Sequence, residues 1–156
     1  SAPIAYAQLA KALGTEIGDR VDSRAVRDAV LELRRSKGMV LDADDHDTWS
    51  AGSFFTNPIL SAEDAAALPE QAPRYDAGEG RVKTSAAWLI SHSGIERGHA
   101  VGERASVSTK HSLALTNRGG ASSEDLVALA HDVQQRVEER YGIRLEPEPV
   151  RLGLDL

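Results

Sequence analysis

The sequence predicts an α+β fold, a single domain in which a short antiparallel or mixed sheet is packed with helices. Three observations lead there. Helical and strand-like segments follow one another without the βαβ rhythm of a parallel sheet. The helical segments carry one apolar stripe each and run out at glycines. A chain of 156 residues with 41% hydrophobic content suits one core of ordinary size.

Taken in order, Tyr6 to Leu13 reads as a short helix stopped by Gly14. Asp22 or Ser23 caps a second helix, in which Val26, Val30 and Leu33 keep helical spacing until Gly38. Lys37 then sits at the helix C-terminus, where the helix dipole favours a cation. Ser53 to Leu60 reads as the beginning of a strand and a turn, because the apolar pair Phe54-Phe55 precedes Asn57-Pro58 and proline does not continue a central strand. Ser61-Ala62-Glu63-Asp64 opens a brief helix with a capping pattern. Leu68 to Gly80 reads as a surface loop of the kind that carries function.

Thr84 to Ser91 is a short apolar helix ending near Gly94, and Ala105 to Val107 and Ser112 to Thr116 are strands separated by Lys110-His111. Ser122 or Ser123 caps the longest helix, with Leu126, Leu129, Val133 and Val137 as its stripe and Gly142 as its stop. Ile143 to Leu152 alternates as a last strand, and Pro147 and Pro149 place it at an edge or make it irregular.

Composition narrows the function. The absence of cysteine excludes a disulfide framework and a thiolate metal site. A net charge of -6 with dispersed basic residues argues against nucleic acid as a partner. No apolar run approaches the roughly 20 residues that span a bilayer, and no signal-peptide pattern is present, so no membrane association and a cytoplasmic location are expected. His46 stands among Asp42, Asp44, Asp45 and Asp47. The spacing lacks the glycine and terminal glutamate of a calcium loop, so the run reads as an acidic surface turn and no metal site is expected. His92, His99 and His131 read as surface or loop residues.

The most informative segment is Gly52-Ser53-Phe54-Phe55-Thr56-Asn57-Pro58. Glycine lets a ligand approach the backbone, the two phenylalanines can exclude water from one side of Ser53, and the Asn57 amide offers a donor and an acceptor. By itself the segment reads more simply as a turn serine leading into a buried strand. Three further segments stand in order with it: Arg34-Arg35-Ser36-Lys37-Gly38-Met39, Lys83-Thr84-Ser85-Ala86-Ala87-Trp88-Leu89-Ile90, and Gly142-Ile143-Arg144-Leu145-Glu146-Pro147-Glu148. With Asp45-His46-Asp47-Thr48-Trp49-Ser50-Ala51 leading into Gly52, the set resembles UDP-N-acetylenolpyruvoylglucosamine reductase (UDP-N-acetylmuramate dehydrogenase), from about Tyr6 to Leu152. The chain looks like that family's C-terminal substrate-binding domain over residues 1–156.

The resemblance implies the following. The family enzyme is a flavin-dependent oxidoreductase acting on a CH–CH bond with NADP as acceptor. It makes UDP-N-acetylmuramate from UDP-N-acetylglucosamine enolpyruvate for peptidoglycan, using FAD and NADPH. Its flavin-binding domain lies N-terminal to this domain and has no counterpart in the sequence, which lacks a glycine-rich phosphate loop after a strand. FAD and NADPH are therefore expected in a full-length enzyme, none bound to this chain, and the N-terminal flavin-binding domain is the expected partner. A family arginine and tyrosine that reach the substrate from the flavin side are missing with it.

Ser53 matches the family's proton donor to the carbanion left by hydride transfer, and a positioned acid is worth roughly 10²–10⁴-fold. Glu148 matches the C-terminal catalytic glutamate, with Pro149 where the family has valine. Near a substrate carboxylate it would be held protonated by like charge and desolvation. Lys37, Asn57, Tyr75 and His111 match positions that hold the UDP-sugar, His111 standing where some relatives have glutamine. A diphosphate suits a cation, a phenol and an amide. From position alone, Lys37 serves equally as a helix-end cation, Tyr75 as an anchor of its own loop and Glu148 as a surface carboxylate.

Two other classes are open. A nucleotide-sugar binding module without catalysis fits a chain that lacks a flavin site. A serine hydrolase would use Ser53 with a histidine base, but Ala51-Gly52-Ser53-Phe54-Phe55 lacks the second glycine of a nucleophile elbow.

Overall fold

Leu129, Val133 and Val137 lie one above another on a helix face, and in a computed structural model, which describes residues 1–150 and 152–153, all three are completely buried. They belong to α5, Ser123–Tyr141, around which the core is built. Its start is fixed by a capping box: the Ser122 hydroxyl accepts the Asp125 N–H at 3.3 Å and the Asp125 carboxylate accepts the Ser122 N–H at 2.8 Å. Against this stripe pack α4, Ala86–Ser91, and the antiparallel hairpin of β4, Ala105–Val107, and β5, Leu115–Asn117. Ala105 pairs with Asn117 and Val107 with Leu115.

A second small sheet has the order β1-β3-β2, all antiparallel, from β1, Ile59–Leu60, β2, Tyr75–Asp76, and β3, Val82–Lys83. Ile59 and Tyr75 both register with Lys83, and all three are exposed. The helix α3, Ala62–Ala67, follows β1 and is capped by Ser61, whose hydroxyl accepts the Asp64 N–H at 3.0 Å. At the N-terminus α1, Ala7–Leu13, and α2, Ser23–Arg35, pack on each other. The Asp22 carboxylate caps α2, accepting from Arg24 and Ala25.

The α+β class holds, with two antiparallel sheets, and four local expectations are corrected. The strand expected at Phe54-Phe55 begins after the proline instead, at Ile59; ahead of it only Phe55 makes a bridge, with Pro147. The expected last strand is reduced to that same bridge, because Pro147 and Pro149 have no N–H to extend a ladder; part of it, Arg151, lies outside the described residues. Leu68 to Gly80 lies at the surface as expected, but it is tied to the core and contains β2. Leu68 and Ala72 are buried, and the Arg74 guanidinium donates to the carbonyls of Ala65, Leu68, Pro69, Glu70 and Ala72, closing the C-terminal end of α3 and starting β2 at Tyr75. The Asp42–Asp47 run is a knot rather than a solvated turn. A 3₁₀ turn at His46–Thr48 buries Asp47 and Thr48, and Asp45 pairs with Lys110.

Candidate functional site

Gly52, at φ +87°, turns the chain in a conformation that L side chains rarely adopt, and delivers Ser53 into an extended segment pinned on both sides. On one side the Phe54 N–H donates to the Leu113 carbonyl at 2.8 Å; on the other the Phe54 carbonyl accepts the Glu148 N–H at 2.8 Å and Thr56 donates to Glu146 at 2.9 Å. Phe55, 2% exposed, anchors the segment in the core. Three stretches distant in sequence thus lie side by side, with Ser53 in the middle one.

They border a cleft of about 600 Å³ lined by Ser53, Glu148, Lys37 and His111, together with Arg34, Met39, Ala51, Gly52 and Pro149. Lys37 comes from the turn that ends α2, and its Nζ donates to the Gln8 side chain at 3.2 Å. Helical spacing puts Arg34 on the same side as Lys37, so two cations face the cleft. His111 sits on a turn organised by the buried Ser108 hydroxyl, which accepts the N–H groups of Lys110 at 3.0 Å and His111 at 3.2 Å. Its Nδ1 accepts the Leu113 N–H at 3.1 Å, so in the neutral ring the proton is on Nε2, free to donate. Partial burial, then the charges of Lys37 and Arg97, hold the His111 pKa below the ordinary histidine value and favour that neutral form.

The structure therefore brings together four of the six residues singled out in the sequence. The other two lie elsewhere. Asn57 borders a separate groove of about 510 Å³, and its Oδ1 accepts the Ala86 N–H at 2.9 Å, helping to start α4. Tyr75 stands 60% exposed on β2, cross-strand from Lys83.

Against this geometry, residues 44–152 match the profile of the family described as UDP-N-acetylenolpyruvoylglucosamine reductase, C-terminal domain. The chain belongs to this reductase family. Curated UDP-N-acetylenolpyruvoylglucosamine reductases are similar along its whole length: that of Streptomyces coelicolor is 55% identical over 166 aligned positions, covering 100% of this chain and 43% of its own. The reductase of Cutibacterium acnes is 57% identical over 98% of this chain and 40% of its own, and that of Thermobifida fusca 54% identical over 100% and 46%. The chain thus spans less than half the length of the relatives it matches. Ser53, Asn57, Tyr75, His111 and Glu148 fall within the matched reductase domain, whereas Arg34 and Lys37 precede it.

Sequence reasoning passed over Arg34 and Asp47. Arg34 was legible as the residue one turn before Lys37. Asp47 was masked by its acidic neighbours, although it alone among them is buried. The helices that follow strands, α3, α4 and α5, are each capped by a serine, Ser61, Ser85 and Ser122, which accepts one backbone N–H of the first turn. Among the described residues no group of three or more His, Asp or Glu side chains is arranged to hold a metal ion, and no helix is long and apolar enough to cross a membrane.

Proposed function

We propose that this chain is the substrate-binding and proton-donating part of a flavin- and NADPH-dependent reductase that converts UDP-N-acetylglucosamine enolpyruvate to UDP-N-acetylmuramate in peptidoglycan synthesis. The observation that carries the reading is the meeting of Ser53, Glu148, Lys37 and His111 at one cleft in a member of this family. The flavin, carried by the preceding domain of such an enzyme, supplies the hydride; the residues of this chain act on the substrate side.

Lys37 and Arg34 offset the negative charge of the diphosphate or carboxylate, and the His111 Nε2–H gives a neutral donor to it. Ser53 stands where its hydroxyl delivers a proton to the carbon beside the substrate carboxylate as negative charge develops there. Glu148, on the neighbouring rung, returns a proton to the serine or shares in the delivery. Asn57 and Tyr75, which lie outside this cleft, are assigned to the rest of the sugar nucleotide. A reaction of this kind, drawing on NADPH, belongs in the cytoplasm.

The hydrolase reading is less well supported. The His111 Nδ1 accepts a backbone N–H where a triad histidine donates to a carboxylate. Titration with UDP-N-acetylglucosamine, followed by NMR, tests the proposal. Millimolar-range binding is expected, since the flavin-side contacts are worth about 0.5–1.5 kcal/mol each and are missing. Amide shifts should concentrate at residues 34–39, 51–57, 108–113 and 146–149. Shifts confined to the far face of α5, or none at saturating ligand, would overturn it.

A further inference from the structure

Asp47 is 5% exposed, and both its carboxylate oxygens are engaged. Oδ1 accepts the Thr109 N–H at 2.9 Å and the Arg118 guanidinium at 3.0 Å, and Oδ2 accepts the Thr109 hydroxyl. Thr109 begins the turn that presents His111. The Asp47 backbone reaches the opposite wall. Its carbonyl lies so close under Gly38 that a Cβ there would come within 2.8 Å of it, and Gly38 is the residue after Lys37. The next acidic residue upstream, Asp45, pairs with Lys110 of the same turn. One residue thus meets both the Lys37 and the His111 walls of the cleft, six positions ahead of Ser53.

A space filler at this point would be better served by an apolar side chain, since a buried carboxylate costs desolvation that its partners only offset. What the carboxylate adds is direction: it accepts a backbone N–H, a hydroxyl and a guanidinium from fixed angles, and so sets the turn in one arrangement. Burial alone would raise its pKa. The donors Thr109 and Ser108 and the charge of Arg118 outweigh burial and hold it below the usual carboxylate range, so the anion persists at neutral pH.

We propose that Asp47 is a positioning residue of the cleft, its carboxylate fixing the Thr109–His111 turn against the Gly38 end of α2 so that Lys37 and His111 face a bound diphosphate at a set spacing. The diphosphate as ligand rests on the function proposed above; the positioning of the turn does not.

The test follows the His111 ring by NMR through a pH titration of the ligand-free chain, in the wild type, Asp47→Asn and Thr109→Val. The charged groups acting on that ring are Lys37 and Arg97, with Arg34 and Glu148 on the same cleft. Were Asp47 only a distant charge, Asp47→Asn would push the His111 midpoint lower, because removing an anion favours the neutral ring. If it positions the turn, both variants let the imidazole reach water and leave Lys37, and the midpoint rises toward that of an ordinary histidine. Affinity for UDP-N-acetylglucosamine should fall together with this, by roughly 3- to 10-fold. A midpoint that is unchanged or lowered in folded variants overturns the proposal. Thr109 is exposed, so Thr109→Val carries the comparison should Asp47→Asn fail to fold. A wild-type chain that binds no UDP-sugar would overturn the diphosphate reading alone, because the ring titration still decides the role of Asp47.

Discussion

The Glu148 N–H donates to the Phe54 carbonyl at 2.8 Å, which puts the C-terminal carboxylate one residue from Ser53 across a backbone rung. Both side chains line the same cleft. The pair is held by main chain, so either side chain can be changed without removing the contact that aligns the two segments.

Ser53→Ala in a full-length enzyme carrying this domain should therefore leave folding and flavin reduction by NADPH intact. Reoxidation of reduced flavin by the enolpyruvyl substrate should slow by roughly 10²-fold or more, the loss expected for a positioned acid. Ser53→Cys should recover part of the rate. Rapid-mixing absorbance of the flavin separates the two half-reactions, and an unchanged reoxidation rate with lowered thermal stability would make Ser53 a structural turn residue.

Gly38→Ala should destabilise the chain by about 2–4 kcal/mol, combining a left-handed conformation that alanine resists with a backbone overlap at Asp47. Denaturant unfolding measures this directly. A cost below about 1 kcal/mol would mean that the α2 end moves away from the 3₁₀ turn freely.

Arg74→Met should keep the apolar stem and delete every bond to the five carbonyls that close α3. Much of Arg74 is exposed and the freed carbonyls can reach water, so the expected cost is only about 1–2 kcal/mol. Hydrogen exchange should show the loss at Ala65–Asp76, with α5 unaffected. Uniform loss across the chain would contradict a local role.

Acidification should destabilise the fold in two windows. The His111 pKa is depressed in the fold by burial and by Lys37 and Arg97, so its unfolded form takes up a proton first, near pH ~6.5. Its contribution is complete above that value and is lost as pH falls toward the folded pKa. Asp47 is also depressed, so its contribution is present above about pH 4, the unfolded carboxylate value, and disappears as pH falls through the folded pKa. Melting temperature against pH should show both steps, and His111→Gln should remove the upper one. An upper step that survives His111→Gln would belong to another group.

The helices were largely legible because their signals are local. Asp22, Ser61 and Ser122 cap where the pattern placed caps, and the stripe through Leu129, Val133 and Val137 points into the core. The strands were less so, being two or three residues long and held by partners far away in sequence. Nothing near Phe54 announces that its neighbours will be Leu113 and Glu148. Ser53, Glu148, Lys37 and His111 were found through an ordered set of motifs, whereas their common cleft is a product of those distant pairings. Asp47 stayed hidden because burial, not residue type, separates it from Asp42, Asp44 and Asp45.

The pairing of Thr56 with Glu146 joins residues 90 apart in the chain. Closing so long a loop directly would cost about 4 kcal/mol of chain entropy before any contact rewarded it. Earlier contacts shorten that loop. The helix α5 packs on the β4–β5 hairpin, and Leu145, wholly buried, has its carbonyl held by the Gln134 amide at 2.8 Å. With that clamp set, only a few residues remain to lie down beside Ser53. Loop entropy therefore favours an order of folding with the hairpin and helix first and the wall bearing Glu148 last, in which the cleft is completed only once the core has formed.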